Sequence, residues 1–215
     1  MGYDEYDFVS SLIVGEIEFL DCELDLEKFD SLIFTSKNAI RALDYNAQRY
    51  LHMNLWRQMP SFVIGAGSKK VLEDLGGSFA SMPSDFHGYS MIEALIPLLQ
   101  NRSPLYLRAE HIVSNLDKEL LQKHIALCSE VIYRNRLNHS LSSQQKPKQG
   151  SILLFTAPSA YRFFCQLFEW DESYVAFALG KTTFNSFDSG IQKLISPFQE
   201  IRKTVLYLKS QYGLE

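Results

Sequence analysis

One stretch of this chain occurs twice, and that repetition limits the fold more than any other feature. Leu32-Ile-Phe-Thr-Ser-Lys-Asn-Ala-Ile-Arg41 aligns without gaps on Leu153-Leu-Phe-Thr-Ala-Pro-Ser-Ala-Tyr-Arg162, with Leu, Phe, Thr, Ala and Arg at equal spacing. Further on, Val63-Ile-Gly-Ala-Gly-Ser68 pairs with Ala178-Leu-Gly-Lys-Thr-Thr183. Each is followed by a helix-length stretch ending in glycine, Gly76-Gly77 or Gly190, and then by a short strand running to Pro83 or Pro197. Self-similarity over roughly half the chain points to two copies of one α/β unit rather than a solenoid of short repeats.

Within the copies, short apolar runs alternate with amphipathic stretches. Ser31 to Thr35, Ser61 to Gly65 and Leu105 to Arg108 read as buried strands, each followed by a helical pattern, which is the βαβ signature of a parallel sheet. The polar break from Asn138 to Gly150 reads as a surface loop. The first copy continues past a helix over Gly88 to Asn101 into the strand at Leu105, a helix near Val113 to His124 and an apolar stretch from Cys128 to Tyr133. The second copy stops after a helix opened by Ser196-Pro197-Phe-Gln199, a capping-box-like start with proline at the first helical position. It therefore lacks a strand that the N-terminus could supply. The expected fold is α/β: two Rossmann-like (flavodoxin-like) parallel-sheet domains joined by a two-stranded β linker. Residues 20–130 form the central domain, 1–10 with 139–215 the discontinuous terminal domain, and 11–19 and 131–138 the linker strands.

With 215 residues, 46% of them hydrophobic and 21% charged, the chain can bury a substantial core. A formal net charge of -4 argues against sequence-independent nucleic-acid binding, which needs a basic face. Cys22, Cys128 and Cys165 are odd in number and far apart, a usage that fits a reducing compartment better than disulfides or zinc. No apolar run is long enough to cross a bilayer, and the acidic start, Met1-Gly-Tyr-Asp-Glu-Tyr-Asp7, is unlike a signal peptide. The expectation is a cytoplasmic protein.

Ligands of open parallel sheets bind beyond the carboxyl ends of the strands. There, Thr35 or Ser36 would cap a helix beginning near Lys37, and Ser68 one after Gly65; Thr156, ahead of Pro158, and Thr182 or Thr183 would do the same in the second copy. Helix starts facing one cleft would favour a polyanion, though such hydroxyls also serve purely as caps. Gly65-Ala-Gly67 runs into Ser68-Lys-Lys70, so neither a dinucleotide fingerprint nor a phosphate loop is present. His52, His87, His111, His124 and His139 lack metal-ligand spacing, and Glu110-His111 is a weak acid–base pair. The acidic stretch Asp21 to Asp30 reads as a solvated face. Arg108, at the end of its strand, could grip a carboxylate through two parallel hydrogen bonds or be an ordinary surface arginine. Tyr133 could look into the cleft or merely pack.

Phe29-Asp-Ser-Leu-Ile-Phe-Thr-Ser-Lys-Asn-Ala-Ile-Arg-Ala-Leu43 resembles the most recognisable segment of uroporphyrinogen-III synthases. It is followed in order by Phe62-Val-Ile-Gly65, Leu105-Tyr-Leu-Arg108, Val131-Ile-Tyr133, Leu154-Phe-Thr-Ala-Pro-Ser159 and Leu179-Gly-Lys-Thr-Thr183. The resemblance extends over nearly the whole chain from about Leu12, and the ordered set carries it. It implies two Rossmann-like domains on a two-stranded linker, no cofactor and no metal. It also implies the reaction: hydroxymethylbilane loses water to give an azafulvene, which is attacked at the substituted carbon of the fourth pyrrole. The resulting spirocycle fragments and recloses with that ring inverted. Positioning is the central task, because the unassisted chain closes without inversion.

By the same resemblance, Tyr133 assists loss of the hydroxyl, Thr182 is a polar contact near the reacting end, and Thr35, Ser36, Lys37, Asn38 and Ser159 are ligand contacts. The anion-site reading adds Gly65, Ser68, Arg108, Thr156, Gly180 and Thr183. The expected partners are the small-molecule substrate and a transient contact with the preceding deaminase, for an otherwise monomeric protein. Two features depart from the family: Ala157 stands where a serine usually precedes the proline, and the chain begins close to Leu12, which suggests a truncated start or a reduced terminal domain. Two rival readings remain, a non-catalytic two-lobed binding protein for a small anion or tetrapyrrole and a nucleotide-using enzyme.

Overall fold

Leu32, Ile33 and Phe34 are all fully shielded from solvent. Three consecutive buried apolar residues are what a central parallel strand covered on both faces requires. The computed structural model describes residues 9–81, 88–112, 115–141 and 145–213, those at 88–91 by backbone alone. Its elements run β1 (Gly15–Phe19), β2 (Ser31–Phe34), α1 (Lys37–Arg49), β3 (Ser61–Val63), α2 (Ala66–Asp74), β4 (Phe79–Ser81), α3 (Gly88–Leu99), β5 (Pro104–Ala109), α4 (Leu116–Gln122) and β6 (Cys128–Leu137). They continue with β7 (Ile152–Phe155), α5 (Pro158–Leu167), β8 (Val175–Ala178), α6 (Lys181–Phe184), β9 (Gln192–Ile195) and α7 (Ile201–Tyr212). The chain divides into two units, with boundaries after Glu16 and after Asn135. Both boundaries fall inside strands, β1 and β6.

The sheet of the 17–135 unit has the order β1-β6-β5-β2-β3-β4. From β6 to β4 every pairing is parallel. Counted along the chain from β2, this is the order of a doubly wound sheet, with its switch point between β2 and β5. Strand alternation divides the apolar side chains between two helical layers. Leu32, Phe34, Leu105 and Leu107 pack with Ala39, Ile40 and Leu43 of α1 and with Trp56. Ile33, Phe62 and Tyr106 face Ile92, Leu95 and Leu99 of α3 and Leu116 and Leu120 of α4. Burial of each such side chain stabilises the fold by roughly 1.5–3 kcal/mol. Buried Asn46 ties the chain after β1 to α1: its amide donates to the Leu20 carbonyl at 2.9 Å and accepts from the Cys22 N–H at 3.0 Å. β1 runs antiparallel to β6, since Val14 accepts from Asn138 and Leu20 donates to Ile132.

In the other unit, β7, β8 and β9 form a parallel sheet in that order. It matches β2-β3-β4, as the repeat requires. α5 contributes Tyr161 and Phe164 to an aromatic cluster with Phe155, Phe168, Trp170, Tyr174 and Phe187, built largely from edge-to-face pairs. The extra strand expected from the N-terminus would fall largely on residues 1–8, which lie outside the described residues, as does Pro83.

The last helix starts later than expected. α7 begins at Ile201 with Glu200 as its N-cap, not at Ser196-Pro197. The Ser196 hydroxyl instead accepts from the Phe198 N–H at 3.0 Å and bonds to Thr204 Oγ1, so it closes a turn ahead of the helix. The helix stops at Gly213, whose φ of 59° is the left-handed conformation of a glycine C-cap.

Two glycines are required by packing. A Cβ on Gly77 would lie 2.6 Å from both Leu72 and Trp56, which are fully buried, and one on Gly15 would lie 2.6 Å from Phe163. Gly77→Ala is expected to cost about 1–3 kcal/mol by overpacking. Gly190→Ala, where a Cβ meets nothing within 4 Å, serves as the control. Thermal melts in which Gly77→Ala unfolds with the parent would contradict this packing.

Candidate functional site

The carboxyl ends of the parallel strands carry most of the predicted site residues. After β2, Ser36 is the N-cap of α1: its backbone is extended and its hydroxyl accepts from the Asn38 N–H at 3.2 Å. Thr35 is half-buried, with its hydroxyl 3.0 Å from that of Tyr106 on β5. Lys37 is exposed and Asn38 half-buried in the first turn.

After β3 the expectation fails in one respect. Ser68 is not a cap; it is the third residue of α2 and is buried, and the N-cap is Gly65, with φ 91° and no side chain to contribute. The chain turns from strand into helix through a backbone conformation that disfavours any residue with a Cβ, so glycine takes the capping position. The Gly65 carbonyl accepts from the N–H groups of Ser68 and Lys69 at 3.0 and 3.1 Å.

Arg108 is largely committed within its own unit. Its Nε donates to Ser129 Oγ at 2.8 Å, Nη1 donates to the Ala109 carbonyl at 2.9 Å, and Asp117 lies 4.0 Å away. Nη1 also lies 3.4 Å from the Glu110 carbonyl, so Nε and Nη1 both have partners within the unit. A depression of about 300 Å³ beside it is lined by Glu110, His111, Asn115 and Lys118, among others.

Tyr133 sits on β6 opposite Ala109 of β5, and its carbonyl accepts from the Glu110 N–H at 2.9 Å. Its side chain is 7% exposed and packs into the α1 layer. Burial raises the phenol above the ordinary tyrosine range, while the neighbouring Ser36 hydroxyl pulls it the other way. The group therefore stays neutral, an O–H that can donate, throughout the physiological range.

In the second unit, the N-cap of α5 is Ala157 with Pro158 at the first turn; Thr156 is exposed and caps nothing, and Ser159 is half-buried. The one-turn helix α6 has Gly180 as its N-cap, so neither Thr182 nor Thr183 caps it. Thr182 is exposed, whereas Thr183 is 4% exposed and turned into the core. Ser68 and Thr183 are therefore corrected from helix caps to buried residues within their helices.

Sequence reasoning missed two tyrosines. Tyr106 read as part of an apolar strand. Tyr161 donates to Asp188 at 2.7 Å at the wall of a depression of about 380 Å³, and its position in the repeat offered a signal, since the first copy has Ile40 there. Among the described residues, no cluster of three or more His, Cys, Asp or Glu is placed to hold a metal, and no helix is long and apolar enough to cross a membrane.

Comparison with known proteins completes the picture. The family model described as "Uroporphyrinogen-III synthase HemD" matches residues 14–203. The solved uroporphyrinogen-III synthetase of Helicobacter pylori is similar at 33% identity and a TM-score of 0.82, over 94% of this chain and 92% of that one. A mutant uroporphyrinogen III synthase from Thermus thermophilus shares the fold at a TM-score of 0.57 and 13% identity, over 94% of this chain and 88% of that one. No curated protein matches. The family match over most of the length, together with the Helicobacter pylori similarity, means that the chain belongs to the uroporphyrinogen-III synthase family.

Proposed function

We propose that the chain converts hydroxymethylbilane to uroporphyrinogen III, with loss of water and inversion of the last ring, and that Tyr133 supplies the proton donor for the first step. Family membership carries the activity, that of a lyase of tetrapyrrole biosynthesis acting on a small-molecule substrate. The observation that carries the role of Tyr133 is a buried, neutral phenol at the strand ends beside the α1 N-cap. As the substrate hydroxyl departs, its oxygen gains negative charge, and a neutral O–H stabilises that charge by donating to it. The azafulvene left behind is then attacked by the fourth pyrrole at its substituted carbon, and the spirocycle fragments and recloses.

In this reading the two units are Rossmann-like domains, and β1 with β6 is their two-stranded linker; the unit boundaries, which fall inside both strands, support it. The substrate carboxylates are received by hydroxyls and N–H groups at Thr35, Ser36, Lys37, Asn38 and Gly65, and at Thr156, Ser159, Gly180 and Thr182. Thr182, exposed on α6, is the polar contact near the reacting end. The reading keeps the protein as a cytoplasmic monomer that receives its substrate from the preceding deaminase.

Tyr133→Phe is expected to slow consumption of hydroxymethylbilane by roughly 10²-fold, the lower end of what a positioned acid contributes. Its Tm should stay within a few degrees of the parent, because the ring is retained. An unchanged rate would remove Tyr133 from the chemistry. The adjacent threonines are expected to separate: Thr182→Ala loses rate while keeping its Tm, and Thr183→Ala loses Tm with a smaller effect on rate. The opposite pattern, from steady-state rates and melts on the same samples, would reverse their assignments.

A further inference from the structure

We propose that Tyr106 is a positioning residue for substrate binding: its buried phenol orients the Thr35 hydroxyl so that this hydroxyl donates its proton to a substrate carboxylate. The inference rests on the proposed function and adds to it a residue and a polarity of contact. Tyr106 lies in the middle of β5, in register with Ile33 of β2, and is fully buried. Packing alone would be served by phenylalanine there, since the neighbours are Ile33, Phe62, Leu95 and Leu116. Burying a hydroxyl is costly unless it is bonded. This one comes within 3.0 Å of Thr35 Oγ1, two residues beyond Ile33 and on the same side of the strand. The bond spans β2 and β5, the pair that flanks the switch point.

Thr35 is half-buried just beyond β2, so the residue reaches the strand-end surface while its hydroxyl meets the phenol. A hydroxyl carries one proton and two lone pairs. When Tyr106 donates to Thr35, the threonine proton is left to point outward. In the opposite sense Thr35 spends its proton inward and turns lone pairs on an incoming carboxylate, which is repulsive. A carboxylate ligand therefore selects the first arrangement, and a phenol, the more acidic of the two hydroxyl types, favours it intrinsically. Binding then finds an aligned donor and pays little to orient it.

The test is a double-mutant cycle on Tyr106→Phe and Thr35→Val, read as KM for hydroxymethylbilane and as Kd for uroporphyrin III, a stable porphyrin with the same carboxylate arms. Tyr106→Phe is expected to raise both by roughly three- to ten-fold, the span of one hydrogen bond, with the effect on KM exceeding that on kcat. In the Thr35→Val background the same change should add nothing, and Thr35→Ser should restore the parent response. Unchanged KM and Kd in Tyr106→Phe, whatever its Tm, would overturn the inference, as would an undiminished effect in Thr35→Val. A parent protein that binds uroporphyrin III with this coupling, yet makes no type III isomer, would refute the proposed function and leave the positioning role standing.

Discussion

The site depends on the complete burial of β2. Because Leu32, Ile33 and Phe34 are each covered, β2 must lie between two parallel neighbours and two helical layers. That location fixes where the chain can first reach the surface, at Thr35 and Ser36. Parallel pairing brings the ends of β3 and β5 to the same side, and pairing of β5 with β6 sets Tyr133 opposite Ala109. A handful of apolar contacts thereby determines which hydroxyls and N–H groups are gathered at one edge of the sheet.

Most of what is gathered there is neutral, with Lys37 an exposed cation in the first turn of α1. The phenol of Tyr133 is held protonated by burial, Ser36 supplies a cap, and Gly65 supplies a turn with no side chain. Arg108, the obvious cation, is engaged by Ser129 and nearby carbonyls. A polycarboxylate held by many weak donors suits a reaction whose difficulty is geometric: no large charge is needed if the chain ends are held in the right relation. In the role proposed for Tyr133, the neutral phenol adds the acid–base function that loss of the hydroxyl demands.

Much of this was legible in the sequence. The repeat predicted the paired strand–helix units at Leu32 and Leu153, and the cap of α1 was narrowed to Thr35 or Ser36, of which Ser36 is the one. The errors have local causes. Ser68 and Thr182 or Thr183 were read as caps because hydroxyl residues usually fill that position, but glycines two or three residues earlier take it. Ser196-Pro197 has the composition of a helix start and builds a turn instead, since the hydroxyl finds Thr204. The partners of Arg108 and Tyr106 were not readable for another reason: Ser129, Asp117 and Thr35 are remote in sequence and become neighbours only through the sheet. The family resemblance carried the function, and side-chain partners across the fold remained invisible to it.

The most direct measurement is the isomer composition of the product. Purified protein is given freshly generated hydroxymethylbilane, the products are oxidised, and the type I and type III uroporphyrins are separated by chromatography. A type III excess over the enzyme-free control is the predicted result; type I alone, from folded protein, would contradict it.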